Sequence, residues 1–218
     1  GYRRGSLYTI AATTSVGKSA LMLEQSIRQC EAGRSAGFIS LELTELELAE
    51  RVLSRFSRLS TQELLEIVAL QPPLMPDANG ADDRLSDAIY EISKMQLHIA
   101  VSPTNSVQAV GALAERMADE CKLAFLCIDY VQLLTAGKTN QVEDLTAVTR
   151  MLKGLAVRLD IPVMIGALVN RQIDARNHQG AKIFPRPQLS HLRGSGSIEQ
   201  DSDVVMIMWR DSEDANIR

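Results

Sequence analysis

Short apolar runs with strand character recur along the chain, and stretches with helical spacing fill the intervals between them. The runs are Leu7–Ala12, Ala36–Leu41, Leu97–Val101, the segment from Leu123 to Ile128 that ends at Asp129, Ile161–Val169 and Val204–Trp209. Runs of this length with so few polar positions suit strands buried on both faces. Helices are predicted from Ser19 to about Glu31, from Thr44-x-x-Glu47 through Ser57, and for a short stretch after Ser60-x-x-Glu63. Further helices are predicted from about Asp83 to Lys94, from Val107 to Cys121, and from Asn140-x-x-Glu143 to about Leu159. A Ser or Thr followed three residues later by Glu lets each side chain satisfy an orphan N–H of the other. Gly33 closes the first helix as a C-terminal glycine. Gln71–Asp83, with its Pro, Gly, Asn and Asp, reads as a loop, and so does Thr135–Gln141. Arg171–Arg193 shows little periodicity, Ser197–Gln200 is expected to turn, and Trp209 is expected in the core.

Strands alternating with helices, with no internal repeat, predict an α/β fold: a mostly parallel sheet with helices on both faces. At 218 residues the chain is long enough for one large domain with its own core. Apolar content of 45% and charged content of 23% fit a globular chain and argue against disorder. No apolar run reaches the length of a bilayer span, and no signal peptide precedes the first strand, so no membrane partner is expected. Cys30, Cys121 and Cys127 form no C-x-x-C pair, and His98, His178 and His191 stand apart from one another. No zinc site is predicted. Cys121 and Cys127 are expected as buried free thiols, and reduced thiols without an export signal suggest the cytoplasm. The net charge of −4 makes the whole surface a poor polyanion binder, so any nucleic-acid contact must come from a local basic patch.

The sharpest chemical signal follows the first strand. Ala12 to Ser19 reads A-x-x-x-x-G-K-S, a small-residue loop between a strand and a helix N-terminus, with Ala where the usual phosphate-binding pattern has Gly. Main-chain N–H groups of such a loop and the first helical turn can face a polyphosphate, and the helix dipole favours negative charge there. The candidate cradle is therefore Ala12, Thr13, Thr14, Ser15, Val16, Gly17, Lys18, Ser19 and Ala20. Lys18 would neutralise the β- and γ-phosphates of ATP, and the Ser19 hydroxyl would hold Mg²⁺. Asp129, at the mouth of the most apolar strand, is a second candidate for Mg²⁺. Glu42, at the mouth of another, can act either as a general base for water or as a helix-capping acid. Arg51 follows on the next helix, where a base could stack. Arg171, Arg176, Lys182, Arg186 and Arg193 stand against the single acid Asp174 in that weakly periodic segment, with Gly194 and Gly196 just beyond. That local excess suits contact with a phosphate backbone.

Four segments together resemble the C-terminal motor domain of the DnaB family of replicative hexameric DNA helicases. They are A-A-T-T-S-V-G-K-S, F-I-S-L-E-L, L-C-I-D-Y-V-Q-L-L and H-L-R-G-S-G-S-I-E-Q-D-S-D-V-V-M-I-M-W-R-D, in the family's order and spacing. The resemblance implies a RecA-like P-loop NTPase fold in a single domain over residues 1–218. It implies ATP and Mg²⁺ as ligands, with Lys18 and Ser19 on phosphate and metal, Glu42 as catalytic base and Asp129 as metal support. Arg51 matches a base-contacting arginine, and Arg193, Gly194 and Gly196, with Lys182 and Arg186 nearby, match the loop that holds single-stranded DNA. Implied partners are single-stranded DNA, further copies of the chain in a homohexamer, a primase and a helicase loader, in a bacterium or with a phage in its bacterial host. The family's N-terminal domain, linker helix and arginine-finger segment are expected outside these residues, so weak turnover is expected of the fragment alone.

One departure bears on chemistry. The family's strand ends in a Ser-Gln pair whose glutamine senses the γ-phosphate; here the matching residues are Ala167 and Leu168. Leucine has no hydrogen-bonding group for that task. This favours one alternative to the motor, an ATP-binding module that shapes a ring or recruits a partner with little hydrolysis; a RecA-like recombinase or signalling ATPase is a third reading, disfavoured by the match from His191 to Asp211.

Overall fold

The computed structural model describes residues 1–69, 81–169, 175–176, 182–183, 187–192 and 195–209. The predicted strands form one parallel sheet: β1 (Leu7–Ala12), β2 (Ala36–Ser40), β3 (Leu97–Val101), β4 (Phe125–Asp129), β5 (Val163–Leu168) and β8 (Val204–Met208), in the order β3-β2-β4-β5-β1-β8. A second, two-stranded pairing joins β6 (Ala175–Arg176) to β7 (Lys182–Ile183) in antiparallel register. The helices are α1 (Lys18–Glu31), α2 (Glu45–Ser57), α3 (Thr61–Ala69), α4 (Ala81–Ser93), α5 (Val107–Glu120), α6 (Gln141–Leu159) and α7 (Ser195–Asp201).

Both faces of the sheet are covered, and the alternation of side chains along each strand divides the core in two. Ile39, Leu126, Ile128, Val163 and Ile165 face α5 and α6, where Val110, Ala114, Val148, Leu152 and Leu155 complete one cluster. Their neighbours Phe38, Phe125, Cys127 and Met164 point the other way, against Met22, Leu23 and Ile27 of α1 and Leu48 and Val52 of α2. Near-continuous apolar runs result because every position of a central strand meets one layer or the other. Thr44 and Glu47 form the predicted capping box of α2. Ser60 and Glu63 exchange the same pair of bonds ahead of α3, at 2.7 and 3.2 Å.

Four expectations change. Ser197–Gln200 is not a turn but part of helix α7, too short for its period to show. Trp209 is 42% exposed rather than core, because β8 has a strand neighbour on one side only among the described residues. Cys121 is only partly buried, at the C-terminal cap of α5, whereas Cys127 is fully buried in β4. Burial pushes the Cys127 thiol up to about 12, so it behaves as a small apolar side chain. The strand predicted to Val169 stops at Leu168, and Val169 makes an isolated antiparallel bridge to Leu192.

Candidate nucleotide-binding site

Four adjacent strand ends build the site. In the order β2-β4-β5-β1, the carboxyl ends bring Ser40 level with Asp129 and Ala12 level with Leu168. A ligand of a parallel α/β sheet sits just outside such ends. A pocket of about 280 Å³ opens there, lined by the 13–20 loop together with Glu42, Arg51, Tyr130 and Leu168. Thr13, Thr14, Ser15, Gly17, Lys18, Ser19 and Ala20 all reach it, while Ala12 and Val16 are buried and lie outside its lining. Ala12 is the last residue of β1 and is fully buried.

Gly17 enters α1 with φ 104, in the left-handed region that glycine adopts without strain. Gly17, as the N-cap, has no side chain with which to cap this helix, whose first backbone hydrogen bond runs from the Leu21 N–H to the Gly17 carbonyl at 2.9 Å. A helix N-terminus with a glycine cap that opens on a pocket presents N–H donors and the positive end of its dipole to an anion, so a polyphosphate fits the residues present. Lys18 does not reach out to solvent. Its ammonium is ion-paired with Asp129, the two side chains being 8% and 2% exposed, and lies 4.1 Å from the centre of the Tyr130 ring. Burial pushes the Lys18 pKa below the ordinary lysine value, against the opposing influence of Asp129 and of Glu42. Ser19 lines the pocket and the Asp129 carboxylate is buried against Lys18, so the site offers a hydroxyl and a carboxylate oxygen, the donor type expected for a hard divalent cation.

Glu42 sits exposed in a turn that is held at both sides. The Ser40 hydroxyl donates to the Leu43 carbonyl at 2.7 Å and accepts from the Leu43 N–H at 2.8 Å. The Leu41 N–H donates to the Asp129 carbonyl at 2.9 Å, and the Thr44 box fixes the start of α2. Capping falls to Thr44 and Glu47, and Glu42 lines the pocket. Arg51 lines the same pocket from the outer face of α2, one helical turn before Arg55, which ties α2 to Glu24 and Glu31 of α1 at 3.1 and 2.9 Å.

Leu168 lines the pocket, so the departure noted in the sequence falls on the site itself. Its N–H donates to the Gln132 side-chain oxygen at 3.0 Å, with a looser return contact of 3.5 Å from the Gln132 amide to the Leu168 carbonyl. Sequence reasoning overlooked Tyr130, Gln132 and Gly166. Gly166 had the signal of an isolated glycine inside an apolar strand, which marks a close approach by another group. Of the residues matched to DNA contact, Gly196 lies exposed on α7 and Lys182 lies in β7. Arg186, Arg193 and Gly194 fall outside the described residues, as does Arg171 of the same basic segment.

Comparison with known proteins gives a consistent result. The family description "DnaB-like helicase C terminal domain" matches residues 1–217. The replicative DNA helicase DnaB of Rickettsia bellii is 30% identical over 224 residues, spanning 97% of this chain and 42% of that protein. DnaB of Geobacillus stearothermophilus is 30% identical over 228 residues, spanning 100% of this chain and 47% of its own length. A solved DnaB-like replicative helicase, described with its interactions with primase, superposes with a TM-score of 0.82 at 28% identity, over 99% of this chain and 51% of that one. The chain thus spans less than half the length of these curated relatives.

Proposed function

The chain belongs to the DnaB-like helicase C-terminal domain family, and on that premise we propose that it is the motor domain of an ATP-driven replicative DNA helicase. The observation that carries this is the convergence of Lys18, Ser19, Glu42, Arg51 and Asp129 on one pocket or its floor, at the ends of neighbouring strands. Lys18 and the main-chain N–H groups of the loop hold the β- and γ-phosphates of ATP. Ser19 and Asp129 would hold Mg²⁺, which would supply charge neutralisation for the phosphates. Glu42 orients a water in line with the γ-phosphate and accepts its proton, and Arg51 packs against the base. The segment with Lys182, Arg186, Arg193, Gly194 and Gly196 contacts the backbone of single-stranded DNA.

In the whole protein, on this reading, copies of the domain work as a homohexameric ring in the cytoplasm of a bacterium or with a phage in its host. The primase interaction described for the solved relative supports a primase partner here, and a helicase loader is the natural second. The test is ATP turnover by the full-length protein with and without single-stranded DNA. Wild-type turnover rises with DNA, and Glu42→Gln lowers it at least about 100-fold, the range expected for a positioned general base. Equal turnover by the variant would remove Glu42 from that role.

A second reading has one observation in its favour. Leu168 brings an apolar side chain to the pocket wall, where it cannot hydrogen-bond a phosphate. A module that binds ATP to shape a ring or recruit a partner would need no such contact. Tight binding without DNA-stimulated turnover is the result that reading requires.

A further inference from the structure

We propose that Gly166 makes room for a resting Lys18–Asp129 pair that couples nucleotide to metal, so that neither phosphate nor divalent cation is taken up well without the other. This rests on the nucleotide-site reading above and concerns the same pocket. Gly166 lies inside β5, between Ile165 and Ala167 and level with Ile10 of β1. A Cβ placed on it would stand 2.5 Å from Asp129 Oδ1, 2.8 Å from Lys18 Nζ and 3.1 Å from Met22 Sδ. The two charged tips therefore fill the volume that any other residue of this strand would use for its own side chain. The Tyr130 ring lies 4.1 Å from the ammonium, and Met22 is fully buried.

The consequence follows from how costly a stranded buried charge is. Phosphates arriving alone draw Lys18 away and leave the Asp129 carboxylate ionised, 2% exposed and facing a polyanion. A divalent cation arriving alone takes Asp129 and leaves the ammonium beside two further positive charges. When both arrive, each member of the pair exchanges its partner for a new one of the same sign, and no charge is left over. Nucleotide and metal consequently strengthen one another's binding by the same factor. A site with a neutral residue at position 129 has no carboxylate to strand, and it loses this dependence.

The experiment is equilibrium binding of a non-hydrolysable ATP analogue, with Mg²⁺ and with a chelator, to the wild-type protein, Asp129→Asn and Gly166→Ala, each checked for cooperative thermal unfolding. Chelation weakens wild-type binding on the order of 100-fold, the scale of breaking a buried ion pair. In Asp129→Asn the loss is no more than about tenfold, and metal-free affinity exceeds that of the wild type. Gly166→Ala shifts metal-free affinity in the same direction, because its methyl displaces flexible side-chain tips rather than backbone. If Gly166→Ala does not fold, Asp129→Asn decides alone. Equal metal-free affinities of the wild type and Asp129→Asn overturn the coupling while leaving the nucleotide site intact. Failure of the wild type to bind the analogue even with Mg²⁺ overturns both.

Discussion

Strand β1 has a lysine–aspartate pair at each end, and the two differ in what surrounds them. Beyond its carboxyl end, Lys18 and Asp129 are 8% and 2% exposed. At its amino end, Lys153 and Asp203 meet at 2.6 Å with side chains 31% and 41% exposed. Asp203 has further work. It accepts from the Leu7 N–H at 2.7 Å, and Lys153 also donates to the Gly5 carbonyl at 3.1 Å. Next to it Ser202 and Thr9 share a hydrogen bond of 2.7 Å, and Asp201 accepts from Thr149 of α6 at 2.5 Å. The outer pair thus belongs to a network that fastens β8 and α6 to the start of β1, with water still able to screen it. Among the described residues the inner pair is surrounded by its own charges, the Tyr130 ring, the buried Met22 and, at longer range, the Glu42 carboxylate. One is suited to holding the sheet together, the other to being taken apart by a ligand.

The comparison breaks most visibly if one inner partner is removed. Lys18→Met strands Asp129 and costs about 3–5 kcal/mol in denaturant unfolding without nucleotide. Adding Asp129→Asn to Lys18→Met restores most of that loss, since a buried pair replaced as a unit is close to neutral. A double variant as unstable as the single one would mean that the pair itself stabilises the fold. At the outer site the effects are smaller. Asp203→Ala costs about 1–2 kcal/mol, chiefly by leaving the Leu7 N–H without its acceptor. Lys153→Ala costs under about 1 kcal/mol and less still at high salt.

Acid titration sharpens the same contrast with the smallest effect. Burial tends to raise the Asp203 carboxyl, but hydrogen bonds from Lys153 and the Leu7 N–H outweigh it and hold the pKa below the ordinary value. The stabilisation is therefore complete above the unfolded value of about 4 and fades as pH falls through the lower folded value. Thermal unfolding of the wild type should lose this contribution only in that acid window. Asp203→Asn should flatten that part of the profile and leave the neutral region little changed in shape.

Which parts of this were legible in the sequence follows from what a single chain pattern encodes. The six strands and the helices between them were readable because each buries one or both faces with a period of its own. Lys18, Ser19, Glu42 and Asp129 were readable because ligands of such sheets gather at strand ends. Tyr130 over Lys18, Gln132 on the Leu168 backbone and the notch at Gly166 were not. They depend on lateral register, such as Ile10 level with Gly166 and Ser40 level with Asp129, which no strand specifies alone. Trp209 misled because its size argues for burial, whereas it directly follows β8, which among the described residues has a strand neighbour on one side only, and is left partly open. Helix α7 was hidden by its seven residues, two of them serine and one glycine.

The most direct test of the motor reading is ATP binding and ATP turnover measured side by side on the full-length protein, with and without single-stranded DNA. The account predicts Mg²⁺-dependent binding together with turnover that rises when DNA is added. Tight binding with turnover that DNA leaves unchanged would contradict it.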